Sequence, residues 1–144
     1  MLQITRETDY AIRCVAYLCD RTGITMVDEI AKQKCIPKSF LAKILQKLVK
    51  AGIVKSYRGI KGGFELARTP SEISLLDIIE AVEGQVVINE CAVDKKFCDF
   101  SNSCTIHPIW VDLRKEIEDI LRSKNFADLT AVFQSVGQAG QTTS

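Results

Sequence analysis

The stretch that most restricts how this chain can fold is "IPKSFLAKILQKLVKAGIVKSYRGIKGGFELAR", residues 36 to 68. Leu41, Ile44, Leu45, Leu48 and Val49 recur at three- and four-residue steps, which predicts an amphipathic helix with that stripe turned to a core. Pro37 suits the first helical position and Gly52 the C-terminal cap. Ser39, Lys43, Gln46, Lys47 and Lys50 then share the opposite side, where they can reach phosphates or base edges. Just upstream, "TMVDEIAKQKC" reads as a shorter helix, with Thr25 as its cap, Asp28 in its first turn, and Val27, Ile30 and Ala31 facing inward. Two helices a short turn apart, the second amphipathic and basic, match a helix-turn-helix.

Short helical pairs are common, so the residues that follow narrow the reading. "GIVKSYRGIKGGFELAR" predicts two short strands around "RGIKGG". Gly59, Gly62 and Gly63 permit positive φ and a tight projecting tip, and a backbone without side chains can approach a sugar-phosphate wall closely. Arg58 and Lys61 sit on that tip. A helix-turn-helix followed by a basic glycine hairpin is a winged helix.

Charge points the same way. The net charge is only +1, yet ten of the nineteen Lys and Arg, and one of the eighteen acids (Glu65), fall between Lys32 and Arg68. One sign gathered in one segment is the footprint of a nucleic-acid surface, whereas a solvated lysine-rich helix face is the plain alternative.

Around this head the chain reads as helices. "RETDYAIRCVAYLCDR" places Ala11, Cys14, Val15 and Leu18 on one face, with Cys14 and Cys19 as small buried hydrophobes. "SEISLLDIIEAVEG" starts on a Ser74 cap paired with Asp77 and ends at Gly84. In "HPIWVDLRKEIEDILRSK", Trp110, Leu113, Ile117 and Ile120 form the seam of a long helix wanting a partner, and an antiparallel second copy fits better than packing within one domain. "FADLTAVF" reads as a short closing helix and "QSVGQAGQTTS" as a frayed tail. The expected fold is mainly α with a small β-hairpin wing. Its organisation is a winged-helix DNA-binding domain over residues 1–84, with the first helix shared with a dimer interface. A cysteine-rich loop over 85–106, a dimerisation helix with a closing helix over 107–133, and a flexible tail over 134–144 follow.

The loop is the odd part. "CAVDKKFCDFSNSCTIH", residues 91 to 107, carries three of the six cysteines and the only histidine. An aperiodic connection longer than about 12–15 residues is uncommon in a compact domain. Cys91, Cys98, Cys104 and His107 are soft donors that suit zinc or an iron–sulfur cluster, and a bound metal would order the loop. Structural zinc sites usually combine two close ligand pairs, and only Cys104 and His107 make one here, so the wider spacing favours a cluster over zinc. No run of about 18 apolar residues is present, and "MLQITRETDY" has charges where a signal peptide is apolar. The expectation is a cytoplasmic protein with reduced thiols and no membrane span.

These residues together resemble the winged-helix repressors of bacterial iron–sulfur assembly, nitric-oxide response and iron response, the IscR, NsrR and RirA group. The resemblance rests on "TDYAIR", "FLAKILQKLVKAGIV", "RGIKGGFEL", "SLLDIIEAVEG", the three loop cysteines and "CTIHPIW", and covers residues 1 to about 133. It implies a homodimer with crossed long helices, a cluster loop from each subunit, and two heads on a palindromic double-stranded DNA operator. It also implies Cys91, Cys98 and Cys104 as cluster ligands. His107 falls where the assembly regulator supplies a fourth ligand to a [2Fe–2S] cluster, and Asp9 falls where the nitric-oxide sensor offers a carboxylate across the dimer to a [4Fe–4S] cluster. His107 and [2Fe–2S] are favoured; failing those roles, His107 is a cap residue before Pro108 and Asp9 an exposed charge or ion-pair partner. Two departures stand out: Ala42 occupies the place of a glutamate on the assembly regulator's recognition helix, and the Cys91–Cys98 spacing is one residue longer.

The expected function is therefore a cytoplasmic, non-enzymatic DNA-binding regulator, a repressor by resemblance, that senses cluster status, redox state or nitric oxide. Ser39, Lys43 and Gln46 are expected to read bases, and Lys38, Lys47, Arg58 and Lys61 to bind phosphate or enter the minor groove. One rival is a repressor of the same fold with zinc or no metal, controlled by a protein partner. The other is a small thiol redox enzyme using Cys104 and His107, against which the basic segment weighs.

Overall fold

A computed structural model describes residues 3–89 and 103–139. Helix α1 (Arg6–Cys19) begins where the Thr5 side chain accepts from the Thr8 amide, and it buries Thr8, Ala11, Cys14, Val15, Tyr17 and Leu18. Those positions recur every three or four residues, so one face enters the core. Helices α2 (Val27–Lys34) and α3 (Lys38–Lys50) follow, α2 burying Ile30 and α3 burying Leu41, Ile44, Leu45 and Leu48. The α3 stripe is the one expected, although Val49 is only half-buried. Pro37 is the cap residue of α3 rather than its first helical residue.

The end of α3 is a full Schellman motif. Ile53 N–H donates to the Leu48 carbonyl at 3.0 Å and Gly52 N–H to Val49 at 3.0 Å. Gly52 sits at φ +74, where a side chain is strained. This turn launches strand β1 (Val54–Tyr57), which pairs antiparallel with β2 (Gly63–Leu66), Val54 opposite Leu66 and Tyr57 opposite Gly63.

Thr25 corrects one expectation. It does not cap α2, whose cap residue is Met26 without a side-chain bond. It forms a bridge to Phe64 instead, with Thr25 N–H donating to the Phe64 carbonyl and Phe64 N–H to that of Thr25, both at 2.8 Å. The wing is thereby strapped to the helix-turn-helix on its β2 side.

Helix α4 (Leu75–Glu83) opens on the expected capping box: Asp77 N–H donates to Ser74 Oγ at 3.1 Å and Ser74 N–H to Asp77 Oδ2 at 2.9 Å. The long helix α5 (His107–Ser123) and the last helix α6 (Phe126–Ala139) complete the chain. Helix α6 runs past the short 126–133 helix expected, into the stretch read as a tail. The corner between α5 and α6 is locked to the head. Leu75 N–H donates to the Lys124 carbonyl at 2.9 Å and Phe126 N–H to that of Ile73 at 3.0 Å. Phe126, only 1% exposed, enters the main core with Leu41, Ile44 and Ile78.

Helix α5 packs on its own chain more than the seam reading expects. Ile117 and Leu121 meet Leu76, Ile79 and Val86 in a second, smaller cluster. Ile109, Leu113 and Ile120 stay exposed. Among the described residues no helix is long and apolar enough to cross a membrane.

Candidate nucleic-acid interface and cysteine loop

Burial of Leu41, Ile44, Leu45 and Leu48 forces the other side of α3 outward, and Ser39, Ala42, Lys43, Gln46 and Lys50 are exposed there. Lys38, at the first helical position, is exposed and pairs with Asp28 of α2 at 2.5 Å. Lys47 differs from its neighbours. Its ammonium donates to Glu7 of α1 at 2.8 Å and to the Val82 carbonyl of α4 at 3.2 Å. Expected at phosphate, it instead ties α3 to the two helices behind it. Lys43, Gln46, Lys47, Lys50 and Glu7 line a shallow depression along this edge.

At the wing, Arg58, Gly59, Ile60 and Lys61 are exposed. The turn is pinned by Gly62 N–H donating to the Gly59 carbonyl at 3.0 Å. The three glycines have different tasks. Gly59 sits at φ +106 with open space around its missing side chain. A Cβ on Gly62 would collide with the Tyr57 carbonyl, and one on Gly63 with the Thr25 carbonyl. Gly63, expected among the glycines that approach DNA, is buried beneath Thr25. It lets a third segment close on the hairpin.

Of the loop donors, Cys91 and Cys98 lie outside the described residues. Cys104 is half-buried just before α5. His107 is the first residue of that helix, 5% exposed, and its Nδ1 has no hydrogen-bond partner among the described residues. A buried imidazole nitrogen without a partner is costly in an ordinary structural histidine and expected of a metal ligand. In this respect the described donors fit a metal group. Among the described residues no three His, Cys, Asp or Glu side chains converge. Asp9 pairs with Arg13 one turn along α1 at 2.5 Å, matching its ion-pair alternative. Cys14 and Cys19 behave as hydrophobes: burial pushes the Cys14 thiol up to about 12, and burial with nearby Asp20 pushes Cys19 up to about 11. Both are protonated near neutrality and are poor ligands.

Sequence reasoning missed the polar ties between the loop root and the head, because each links residues far apart in the chain. Arg114 Nε of α5 donates to the Val86 carbonyl at 2.9 Å, just ahead of the loop. Glu83, ending α4, accepts from Thr5 N–H at 3.0 Å, from Thr5 Oγ1 at 2.6 Å and from Thr8 Oγ1. Its partial burial pushes its pKa upward, but those hydrogen bonds and the Lys47 charge outweigh it and hold the carboxyl below the usual range. A carboxylate there also complements the positive end of α1.

The comparisons with known proteins agree with this geometry. The family described as Rrf2, iron-dependent transcriptional regulator, matches residues 4–132. An HTH-type transcriptional regulator of Aquifex aeolicus is 37% identical over 123 residues, 83% of this chain and 85% of its own length. The protein aau3 of Rhizobium meliloti is 33% identical over 134 residues, 89% of this chain and 84% of its own. Among solved structures, IscR of T. potens superposes with a TM-score of 0.73 at 26% identity, covering 94% of this chain and 90% of its own. CymR, the global cysteine regulator of B. subtilis, superposes with a TM-score of 0.70 at 27% identity, covering 92% and 98%.

Proposed function

The chain belongs to the Rrf2 family of transcriptional regulators and has its DNA-binding winged-helix fold, and from that premise we propose that it is a dimeric repressor whose cysteine loop holds an iron–sulfur cluster. Cys91, Cys98, Cys104 and His107 would hold the cluster, [2Fe–2S] being favoured by the local histidine. The buried Nδ1 of His107, unpartnered among the described residues and three positions after Cys104, carries this reading. A bound cluster supplies a centre that oxidation, nitric oxide or iron shortage alters. The chain's own residues do the rest. Arg114 holds the root of the loop through the Val86 carbonyl. Glu83 and Lys47 connect that root to α1 and to α3. A change in loop order then biases the placement of the two heads on a palindromic operator.

On DNA, Ser39, Lys43 and Gln46 lie where the major groove is read. Lys38, Arg58 and Lys61 neutralise phosphates, and each such contact contributes a slope of about −0.9 in log affinity against log salt. The exposed Ile109, Leu113 and Ile120 face a second copy of α5. The test is anaerobic purification, with absorption and Mössbauer spectra and iron and sulfide analysis of the wild type and of Cys98→Ala and His107→Ala. The expected result is a coloured wild type, a colourless Cys98→Ala and a His107→Ala with altered spectra. A colourless, iron-free wild type overturns the cluster reading.

Likeness to CymR, named as a cysteine regulator, favours a second reading without a cluster: a repressor of this fold with zinc or no metal, for which control by a protein partner is the alternative to cluster sensing. Tight operator binding by iron-free protein, unaffected by loop cysteine substitutions, supports it.

A further inference from the structure

We propose that Ile60, at the tip of the wing, is a specificity residue that lies on the floor of the minor groove and selects A·T over G·C pairs flanking each half-site. This rests on the DNA-binding reading above. Ile60 is 97% exposed, more than any other large hydrophobic residue described. A lone exposed apolar residue is ordinary on a protein surface, so exposure by itself decides nothing. Its setting does. Ile60 stands at the apex of a turn between Arg58 and Lys61, with glycine before it and after Lys61.

That turn is a stiff post. Gly62 N–H is bonded to the Gly59 carbonyl at 3.0 Å, and Phe64 is strapped to Thr25 by two bonds of 2.8 Å. Space beside Gly62 is closed by the Tyr57 and Gly59 carbonyls. The isoleucine side chain is itself stiff, because β-branching restricts χ1. Post and side chain are therefore ordered before any partner arrives, and little further ordering is needed on binding. The flanking cations suit the two phosphate walls of a groove about 6 Å wide. An apolar tip between two cations matches a narrow anionic cleft better than an apolar protein surface.

Selectivity follows from the groove floor. A·T pairs present only acceptors there, whereas G·C adds the guanine N2 amino group, a donor that projects from the floor. A methyl group pressed on that donor displaces its water and offers no acceptor, leaving it unpaired. Ile60 accordingly tolerates A·T and penalises G·C without making a hydrogen bond.

The test uses the full-length protein and an operator selected from random duplex, with the base pairs beneath the wing set to A·T, G·C or inosine·C. Inosine lacks the N2 amino group but keeps guanine's major-groove edge. Expected for the wild type is a loss of about tenfold in affinity from A·T to G·C, within the cost of a buried unpaired donor, and recovery on inosine·C. Ile60→Ser should bind all three flanks within about twofold of one another, with an unchanged salt slope because Arg58 and Lys61 remain. Equal wild-type affinity for G·C and inosine·C flanks overturns the role of Ile60, as does full discrimination in Ile60→Ser. Failure to select any duplex overturns the DNA-binding reading itself, a different result from selection without flank preference. Coincident thermal melts of the two proteins show that the substitution acts on binding and not on folding.

Discussion

Helices α3 and α5 carry apolar stripes of the same spacing and meet different fates. In α3, Leu41, Ile44, Leu45 and Leu48 all lie within the main core, roofed by α1, α4 and Phe126. In α5 the stripe divides: Ile117 rests on α4 beside Leu121, while Ile109, Leu113 and Ile120 remain in water. Periodicity announces that a helix has an apolar face but does not say which surface will cover it. The α3 face is satisfied within the chain. The α5 face has more apolar surface than one chain covers, which is the pattern of an interface.

Substitutions can break this contrast. The largest effect is expected for Ile44→Ala, which empties a fully buried position in α3. Unfolding in urea should show a loss of about 2–5 kcal/mol, and a loss below about 1 kcal/mol would mean that the α3 core is not closed. Ile120→Glu, at a position 60% exposed, should leave the helical circular dichroism intact while weakening self-association. Sedimentation should report a rise of about 10- to 100-fold in the dimer dissociation constant, as for an apolar side chain buried on pairing. Unchanged sedimentation would leave the α5 stripe without a partner in solution.

Polar ties sharpen the same comparison at a smaller scale. Glu83→Gln removes the charge that Thr5, Thr8 and Lys47 surround, and a loss of at most about 1 kcal/mol is expected near neutral pH. The sign with pH is fixed: a carboxyl whose folded pKa is depressed adds stability above its unfolded pKa and loses it as pH falls through the folded value. Wild type and Glu83→Gln should therefore converge in stability in acid and separate above the usual carboxylate range, read from melts across that range. The smallest effect on stability belongs to Lys38→Ala. Its pair with Asp28 is exposed and contributes about 0–1 kcal/mol. Its effect should appear on DNA instead, as a salt slope reduced by about 0.9 for each of the two heads on the operator.

Much of the head was legible because its signals are local. The α3 stripe, the Gly52 turn, the Ser74–Asp77 box and the glycine hairpin each sit within a few residues of one another. Thr25 was misread because a threonine ahead of a helix is equally a cap or a strand residue, and its partner Phe64 lies far along the chain. Lys47 shared a face with Lys43 and Lys50, and nothing in that spacing separates the lysine nearest Glu7 and Val82 from those facing water. The composition of "QSVGQA" speaks for fraying, yet α6 continues through it to Ala139 from the anchor made by Phe126. At the cysteine loop, residue types indicated metal chemistry, and the burial of His107 came only from the fold.

The anchoring of Phe126 also sets how motion in α5 reaches the head. With its last turn held at the Ile73 and Lys124 contacts, α5 acts as an arm about 25 Å long, and the buried His107 stands at the opposite end. A displacement of about 1 Å there tilts the arm by only about 2° and barely stirs its pivot. The useful take-off point is closer to the middle, where Arg114 grips Val86. Motion at the far tip is thus geared down along the shaft and handed sideways, toward α4 and, through the Lys47 bond to the Val82 carbonyl, α3.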